Sequence, residues 1–359
     1  MQVREESANS EGFWELASGI DALYLSGRTT IPGELAARLQ AIRAEGDDTG
    51  GRIPLVLGGV EFEVAPHGWG KYRYCLKHRN GQIGLTPSKS LPAIRIQPRA
   101  EFLHGVGPEV VVGWFRNVLE RELQFVRLTV SRVDIYADFQ GWRLEVDDRY
   151  RFVSRAKDLA TYEESEEFNG LQFGKRGSQT VSARIYDKTV ESAKKGSAYW
   201  RDIWGTRYVD GLPVLRIEFE IGRQALRQYG LDTPEEVLEA SGALWASLTS
   251  GWLSYRVGAD DQTKARWPVA PEWEQVCRAR VADGAFGIER MYAGKRRGDL
   301  HKLAPGLVGY LSNFAALTGH ESFEETFDQL GRFVWWYGKV TGQTFKERTA
   351  EKQRRYALP

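Results

Sequence analysis

Val181-Ser-Ala-Arg184-Ile-Tyr186-Asp-Lys188 is the stretch of sequence on which the predicted fold depends. Successive side chains of a β-strand point to opposite faces of its sheet, so Arg184, Tyr186 and Lys188 share one face. The small and apolar residues between them share the other face. Alternation of this kind is typical of an antiparallel sheet with one dry face and one wet face.

Two further stretches, 131–139 and 214–221, alternate in the same way. Their polar faces carry Arg132, Asp134, Tyr136 and Asp138 in the first, and Arg216, Glu218 and Glu220 in the second. If the three strands lie in one sheet, a tyrosine, several carboxylates and several cations converge on its open face. We expect the functional site there.

Composition narrows the class of protein. The chain has 359 residues, which predicts two or three structural units, and its net charge of +1 excludes a uniformly basic nucleic-acid binder. Its two cysteines cannot build a disulfide framework or a zinc cluster, as expected for a reducing cytosol. The polar N-terminus lacks the apolar segment of a signal peptide, and no apolar run is long enough to span a bilayer. These features predict a cytoplasmic protein with no membrane partner.

The order of predicted elements occurs twice along the chain. The strand holding Asp134 corresponds to a strand holding Asp21, and Pro213-Val-Leu-Arg-Ile echoes Pro92-Ala-Ile-Arg-Ile. We therefore predict an α+β fold, in which duplicated β-α-β-β-β-α units form one or two antiparallel sheets covered by helices on one face, followed by a C-terminal helical region. In the second repeat, the helix is expected in a polar, helix-compatible segment at about 147–160.

The predicted organisation has a tail and three domains. The tail is 1–12, the first repeat is 13–126, the second repeat is 127–256, and the C-terminal helical region for DNA binding or oligomerisation is 257–359. In this alignment Gln97 stands where Glu218 does, and the region of Cys75 stands where Tyr186 does. The first repeat would therefore be a scaffold or DNA-binding copy without the reactive groups, and the second repeat would be catalytic.

A tyrosine beside a divalent cation held by carboxylates suits transesterification at a phosphodiester. The phenolate attacks phosphorus, which leaves a phosphotyrosine and a free sugar hydroxyl. A phenol has a pKa of about 10, so it needs activation. Arg184 and Lys188, with a metal ion, would favour the phenolate and neutralise charge on the phosphate. Hard oxygen ligands favour Mg²⁺ or Mn²⁺.

Strand geometry limits the metal ligands. Asp134 and Asp138 lie about 13 Å apart along an ideal strand, too far to share one ion, and Glu218 and Glu220 lie about 7 Å apart. A site that takes one carboxylate from each strand therefore uses Asp134 and Glu218. Glu220 or Asp138 would then be an outer ligand or a lysine partner.

Cations near these strands are candidates for DNA contact, because Lys and Arg side chains bind phosphates. The simpler interpretation of each is a solvated surface charge, and the turn 174–178 lacks the spacing of a phosphate-binding P-loop. The candidates are Lys175, Arg176, Arg132, Arg216, Lys194, Lys195, Arg201, Lys295, Arg296 and Arg297. The five histidines are scattered, which argues against a histidine-bound metal and against nicking enzymes of the His-hydrophobe-His class.

The chain resembles the Rep-trans replication initiation factors, which include initiators of staphylococcal-type rolling-circle plasmids and relaxases of some integrative conjugative elements. The resemblance covers about residues 15 to 255 and rests on three short motifs in matching order. They are Arg132-Val-Asp134-Ile-Tyr-Ala-Asp138, Phe173-Gly-Lys-Arg-Gly leading to Arg184-Ile-Tyr186-Asp-Lys188, and Arg216-Ile-Glu218-Phe-Glu220. Plasmid members commonly have Asn where this chain has Asp187, which is a mild departure.

The resemblance implies a site-specific, metal-dependent nicking and joining enzyme. Its nucleophile falls on Tyr186, which would remain on the 5′ end of the DNA and leave a 3′-hydroxyl to prime rolling-circle synthesis. The acidic ligands fall on Asp134 and Glu218. The implied partners are origin DNA, single-stranded or cruciform at the nick, a helicase, and a second copy of the chain.

Two alternatives stay open. The first is a non-catalytic, sequence-specific DNA-binding regulator of a mobile element. The second is a duplex-cutting tyrosine recombinase or topoisomerase, which needs a clustered arginine and histidine site that the sequence does not offer.

Overall fold

The computed structural model describes residues 12–49, 52–88, 90–123, 126–164, 167–282, 300–340 and 344–349. The chain divides into two compact units, 1–289 and 290–359. Most of the predicted tail, and the candidates Lys295, Arg296 and Arg297, lie outside the described residues.

One antiparallel sheet of eleven strands dominates the first unit. The strands in chain order are β1 (Trp14–Arg28), β2 (Ile53–Leu57), β3 (Val60–Val64), β4 (Tyr74–His78), β5 (Gly81–Leu85), β6 (Ile94–Pro98), β7 (Arg127–Gln140), β8 (Phe152–Ser154), β9 (Leu159–Glu164), β10 (Glu167–Phe173), β11 (Val181–Asp187), β12 (Leu215–Gly222) and β13 (Leu253–Tyr255). Their order across the sheet is β2-β3-β4-β5-β6-β1-β7-β12-β11-β10-β9, and β8 and β13 form a separate pair. The predicted α+β class with a large antiparallel sheet is confirmed.

The two repeats meet at the centre of this sheet, where the long strands β1 and β7 pair with each other. On either side the order is mirrored: β6 lies beside β1 as β12 lies beside β7, and β5 and β11 follow outside them. Both repeats therefore contribute to a single face.

The mirrored order corrects one correspondence between the repeats. Gln97 is paired across the sheet with Gln82, as Glu218 is with Arg184. Two residues after Gln82 on β5 is Gly84, and two residues after Arg184 on β11 is Tyr186. Gly84 therefore takes the position that Tyr186 has in the second repeat. The region of Cys75 lies one strand further out, on β4, because short sequence echoes do not fix which strands pair.

The helices in chain order are α1 (Gly33–Thr49), α2 (Ala100–Val106), α3 (Pro108–Glu120), α4 (Lys188–Lys195), α5 (Trp200–Trp204), α6 (Arg223–Gln228), α7 (Pro234–Glu239), α8 (Ser241–Gly251), α9 (Pro271–Cys277), α10 (Leu300–Thr318) and α11 (Phe323–Val340). The apolar face of the sheet packs into one large core, to which α3 contributes Phe115 and α8 contributes Trp245. The apolar residues of the alternating strands, such as Ile185 and Phe219, lie in the same core.

The segment at 147–160, expected to be helix-compatible, takes another structure. Residues Val146–Tyr150 form a short 3-10 helix with a capping box between Glu145 and Asp148. Strands β8 and β9 follow it, and β9 pairs with β10. Backbone hydrogen bonds to the edge of the sheet thus satisfy a segment whose polar composition favoured a helix.

The first unit extends beyond the boundary expected at residue 256. Trp273 of α9 is buried, and its indole N–H donates to the carbonyl of Thr249 at 2.8 Å. The second unit contains α10 and α11, which contact each other through Phe314 and Phe333, with ring centroids 5.6 Å apart. Among the described residues, none of the helices combines the length and the apolar character that crossing a bilayer requires.

Candidate active site

The strands β7, β12 and β11 are neighbours, as their shared alternation predicted. Glu218 on β12 is paired with Arg184 on β11 and with Tyr136 on β7, and Glu220 is paired with Asp134. The register therefore gathers the polar residues of all three motifs on one face of the sheet. The face is not open, however, because Asp134, Tyr186, Glu218 and Glu220 are all buried.

Tyr186 donates its phenolic hydrogen to a carboxylate. Its hydroxyl lies 3.0 Å from Oε2 of Glu218, whose Oε1 accepts from Arg184 Nη2 at 2.5 Å. Burial raises the pKa of Tyr186 well above its ordinary value; the charge of Glu218 raises it further, and Arg216 and Arg184 oppose the rise. The phenol is thus neutral at neutral pH, and Glu218 is positioned to take its proton.

A glycine opposite Tyr186 sets how closely β10 approaches it. A Cβ added to Gly170 would lie 2.3 Å from the carbonyl oxygen of Ile185 and 2.8 Å from Cα of Tyr186. The register is irregular between Phe168 and Gly170, a feature that re-aims side chains next to functional sites. A glycine inside a strand pattern was the available sequence signal for this close approach.

Asp134 is a buried carboxyl held by Arg132. Arg132 donates to both of its oxygens, through Nε at 2.7 Å and through Nη2. The pKa of Asp134 is raised to about 7. Burial is the main cause and the charges of Glu218 and Glu220 add to it, while the hydrogen bonds from Arg132 oppose it. Asp134 and the two glutamates are therefore close enough to repel one another.

Glu220 is fixed by the hairpin turn between β10 and β11. Its carboxylate accepts hydrogen bonds from the backbone N–H of Gly177 at 2.5 Å and from Arg176 at 3.4 Å, and it forms an ion pair with Arg132 at 2.8 Å. The turn 174–178 directs one of its N–H groups at a side chain of the sheet. It has the hairpin structure that the sequence favoured over a P-loop.

The carboxylates fit a hard divalent cation in chemistry. Carboxylate oxygens are the donors that Mg²⁺ and Mn²⁺ prefer, and Asp134 and Glu218 supply them from the neighbouring strands β7 and β12. In this structure the oxygens of Asp134, Glu218 and Glu220 accept hydrogen bonds from Arg132, Arg184, Arg176, Gly177 and Tyr186. Within the described part of the chain, no three acidic, histidine or cysteine side chains surround a common point. A cation would therefore have to replace Arg132 on Asp134.

Asp138 belongs to a separate buried network around Arg216. Arg216 donates to both oxygens of Asp138, at 2.6 and 2.7 Å, and to Asp21 at 2.7 Å. Trp204 donates its indole N–H to Asp138 at 2.8 Å. Arg216 has 0% of its surface exposed, so it has no surface with which to meet a DNA phosphate. It lies directly opposite Tyr186 in the sheet and holds the strands around it.

Asp21 and His104 are site residues that the sequence did not nominate. Oδ1 of Asp21 lies 2.7 Å from Arg216 Nη1 and 3.2 Å from His104 Nε2. Burial raises the pKa of Asp21, but Arg216, His104 and Lys188 together hold it well below its ordinary value. The available signal for Asp21 was its correspondence to Asp134 in the other repeat; His104 had none.

Lys188 is a buried cation that directly follows β11 as the first residue of α4. Its ammonium lies 2.6 Å from Glu191, 4.6 Å from the ring centroid of Trp200 and 6.0 Å from that of Tyr186. Burial lowers the pKa of Lys188, as does Arg216, while Asp21 and Glu191 raise it. The segment that follows Lys188 covers part of the polar face with its tryptophans.

A cleft of about 480 Å³ opens over this face. Its lining includes Tyr186, Arg184, Lys188, Asp134 and Glu218 from the second repeat. The first repeat and the segment after Lys188 also contribute, through Asp21, Tyr24, Lys77, Gln82, Gln97, Arg99, Lys195 and Tyr199. A somewhat larger cavity of about 560 Å³ is lined by Trp142, Phe168, Asp187 and Pro213 but does not include Tyr186, so we place the site in the smaller one.

The predicted DNA-binding cations differ in their access to solvent. Lys175, Lys194, Lys195 and Arg201 are exposed, and Arg201 forms an ion pair with Asp210 at 3.1 Å. Arg176 is exposed as well, although it binds Glu220, whereas Arg132 reaches the surface only in part. Arg216 is the one predicted DNA contact in the described part of the chain that is fully buried.

Comparison with known proteins gives one likeness to report. No protein-family model matches the chain, and no curated protein matches it. Among solved structures, the chain is similar to the rolling circle replication initiator protein from Geobacillus stearothermophilus, with a TM-score of 0.45 and 15% sequence identity, over 77% of this chain and 99% of that chain. The function of the chain therefore has to be argued from the chemistry of the cleft.

Proposed function

We propose that the chain is a rolling-circle replication initiator or relaxase of the Rep-trans type, which nicks and rejoins one DNA strand through Tyr186. The observation that carries the proposal is the hydrogen bond from Tyr186 to Glu218 at 3.0 Å, with Arg184 on the same carboxylate. A nucleophile, a proton acceptor and a cation thus lie together in a cleft lined by further cations.

The chemical step is a transesterification. The phenolic oxygen of Tyr186 forms a bond to phosphorus while the bond from phosphorus to the 3′ oxygen breaks, which leaves a 5′-phosphotyrosine link and a free 3′-hydroxyl. Because the pKa of Tyr186 lies well above its ordinary value, its proton has to move to Glu218 as the new bond forms. The 3′ oxygen takes up a proton from Lys188 or water, and the reverse reaction rejoins the strand.

Arg184 and Lys188 stabilise the charge that develops on the phosphate. The guanidinium carbon of Arg184 lies 4.8 Å from the ring centroid of Tyr186, so its positive charge is close to the phenol that would attack phosphorus. Fixed cations aimed at developing charge contribute the largest electrostatic share of catalysis in many enzymes. A cation at Lys188 with a lowered pKa can also release a proton more readily than an exposed lysine.

Mg²⁺ or Mn²⁺ would be held by Asp134 and Glu218, with Glu220 as an outer ligand. The ion would polarise the phosphate and relieve the repulsion that raises the pKa of Asp134. Asp138 would stay with Arg216, to which it is bound through both oxygens. The proposed partners are origin DNA, single-stranded or cruciform at the nick, a helicase and a second copy of the chain.

The test is covalent capture of DNA. The chain is incubated with supercoiled plasmid carrying the neighbourhood of its own gene, with Mg²⁺, Mn²⁺ or EDTA, and nicked circles and SDS-stable adducts are measured. Tyr186→Phe should bind the DNA and form no adduct. Tyr150→Phe, at an exposed tyrosine that does not line the cleft, is the control and should keep nicking. An adduct at wild-type level in Tyr186→Phe would refute the proposal. Nicking that persists in EDTA would show that the reaction needs no divalent cation.

A second candidate is a silent DNA-binding regulator. Tyr186 has only 6% of its surface exposed, and each carboxylate of the cluster is already bound to an arginine. This candidate predicts sequence-specific binding without a nick under any divalent cation, so the same incubation separates it from the first.

A further inference from the structure

The first repeat presents a neutral copy of the active site on the same face of the sheet. Gln82 on β5 is paired with Gln97 on β6, in the positions that Arg184 and Glu218 occupy in the second repeat. The amide of Gln82 donates to the side-chain oxygen of Gln97 at 3.2 Å, where the second repeat has an ion pair at 2.5 Å. The amide of Gln97 donates to the hydroxyl of Tyr24 at 3.0 Å.

A second pair of contacts supports this correspondence. Arg95 takes the position of Arg216, and its guanidinium carbon lies 3.9 Å from the ring centroid of Trp69. Arg216 lies 4.0 Å from the ring centroid of Trp200. An arginine stacked on a tryptophan is therefore found in both repeats, although Trp69 lies between β3 and β4 and Trp200 is the first residue of α5.

The nucleophile has no counterpart in the first repeat. Gly84 stands in the place of Tyr186, and the ring of Tyr72 lies 3.0 Å from where a Cβ of residue 84 would be. The first repeat thus keeps hydrogen-bonding side chains in the cleft without a group that could attack phosphorus.

The cleft is basic on this side as well. Lys77 and Arg99 line it beside Gln82 and Gln97. Neither forms an ion pair with any acidic side chain in the described parts of the chain. Lysine and arginine position DNA through its phosphates, whereas glutamine amides bind base edges. Tyr24, which is half-buried, adds an aromatic ring of the kind on which bases stack.

We propose that Lys77, Arg99, Gln82, Gln97 and Tyr24 form a second subsite, which binds the single DNA strand that leads to the phosphate at Tyr186. This inference rests on the proposed function and adds the path of the substrate. Five strand spacings separate β5 from β11 in the sheet, or about 24 Å along it at ~4.8 Å each. A single strand stacked as in duplex DNA, at ~3.4 Å per nucleotide, would cover that span with about seven nucleotides, and a more extended strand would need fewer.

The experiment measures binding apart from nicking. Fluorescent single-stranded oligonucleotides of 4, 8 and 12 nucleotides, each as poly-dT and as mixed sequence, are titrated by anisotropy at several salt concentrations. We expect Lys77→Ala/Arg99→Ala to lose about tenfold in affinity for the 12-mers, with a salt slope shallower by ~1.4 because two phosphate contacts are lost. Arg38→Ala/Arg227→Ala, on α1 and α6 at the other face of the sheet, is the matched control and should change neither.

A second variant tests the amides without removing a cation. Gln97→Glu is nearly isosteric and restores the carboxylate of the second repeat, so it should weaken binding several-fold through repulsion of the DNA. Affinity and salt slope at control level in both variants would overturn the subsite. Wild-type binding that does not tighten between 4 and 12 nucleotides would overturn it too. Absence of covalent adducts would contradict the proposed function instead, and Tyr186→Phe should bind these oligonucleotides normally.

Discussion

Gly170→Ala tests whether the backbone of β10 sets the position of the nucleophile. The added Cβ would lie 2.3 Å from the carbonyl oxygen of Ile185 and 2.8 Å from both Cα and Cβ of Tyr186. Two of these three atoms belong to the backbone, so no side chain can rotate away to make room. Strand β11 has to move relative to β10 at the residue that carries the phenol.

The size of the effect follows from these distances. Restoring an ordinary contact of about 3.4 Å requires a displacement of about 1 Å, and forcing an extra methyl into a packed site costs about 1–3 kcal/mol. Such a shift moves the Tyr186 hydroxyl relative to Glu218, to which it is bound at 3.0 Å. A misplacement of about 1 Å at a reacting group can lower the rate about 10²-fold.

Two measurements separate the structural from the functional part. Urea unfolding should show Gly170→Ala to be destabilised by about 1–3 kcal/mol, and the rate of adduct formation at 20 °C, where the variant is folded, should fall by one to two orders of magnitude. Gly113→Ala is the control, because a Cβ at this helical glycine of α3 meets nothing within 4 Å and should stabilise the protein by about 0.5–1 kcal/mol. Wild-type stability and rate in Gly170→Ala would refute the reasoning.

Two further predictions concern buried charge. Arg216→Ala removes the guanidinium that pairs with Asp138 and Asp21, so urea unfolding should show that the free energy of unfolding falls by about 3–5 kcal/mol. Adding Asp138→Ala should recover part of this loss, and a loss below about 1 kcal/mol would contradict the network. The pKa of Asp134 is about 7 in the folded protein, compared with 3.8 for an unperturbed carboxyl, so the folded state binds this proton more tightly than the unfolded state does. The free energy of unfolding should therefore fall as pH rises from about 4 to about 7, by up to about 4 kcal/mol. Asp134→Asn should flatten this part of the curve of unfolding free energy against pH, and an unchanged curve would count against the raised pKa.

Alternation of polar and apolar residues was enough to predict which side chains share a face. It placed Arg184 and Tyr186 with Asp134 and Glu218, because a period of two fixes the face of every residue once a strand is recognised. Lys188 lines the same cleft, although it is the first residue of α4 and lies outside the strand. The order of the strands was not needed for this result. Antiparallel pairing then brought the same residues into contact.

The burial of the polar face could not be predicted in this way. Alternation separates two faces but does not say what covers each of them. Trp200 and Trp204 lie in a segment whose short helices have no strong pattern, and their positions depend on contacts with Arg216 and Asp138 that are remote in sequence. The polar face was therefore expected to be open to solvent, whereas much of it is covered.

The correspondence between the repeats failed at the residue where it mattered most. The sequence placed the region of Cys75 in the position of Tyr186, but in the structure that position belongs to Gly84, on the neighbouring strand β5. Short echoes give the order of elements but not the hydrogen-bonded register, which is fixed by long-range pairing. The contact of Asp21 with Arg216 joins residues 195 positions apart, and no local sequence pattern indicates it.

The ring of Tyr72 over Gly84 has a consequence for the ancestry of the two repeats. A tyrosine introduced at residue 84 would collide with that ring, whose nearest atoms lie 3.0 Å from the new Cβ. Regaining a second nucleophile would thus require the ring to leave first, and its departure alone would open a hole in the fold. Each of the two changes, a tyrosine at residue 84 or the loss of the Tyr72 ring, is unfavourable when made alone. The first repeat is therefore expected to stay without a nucleophile.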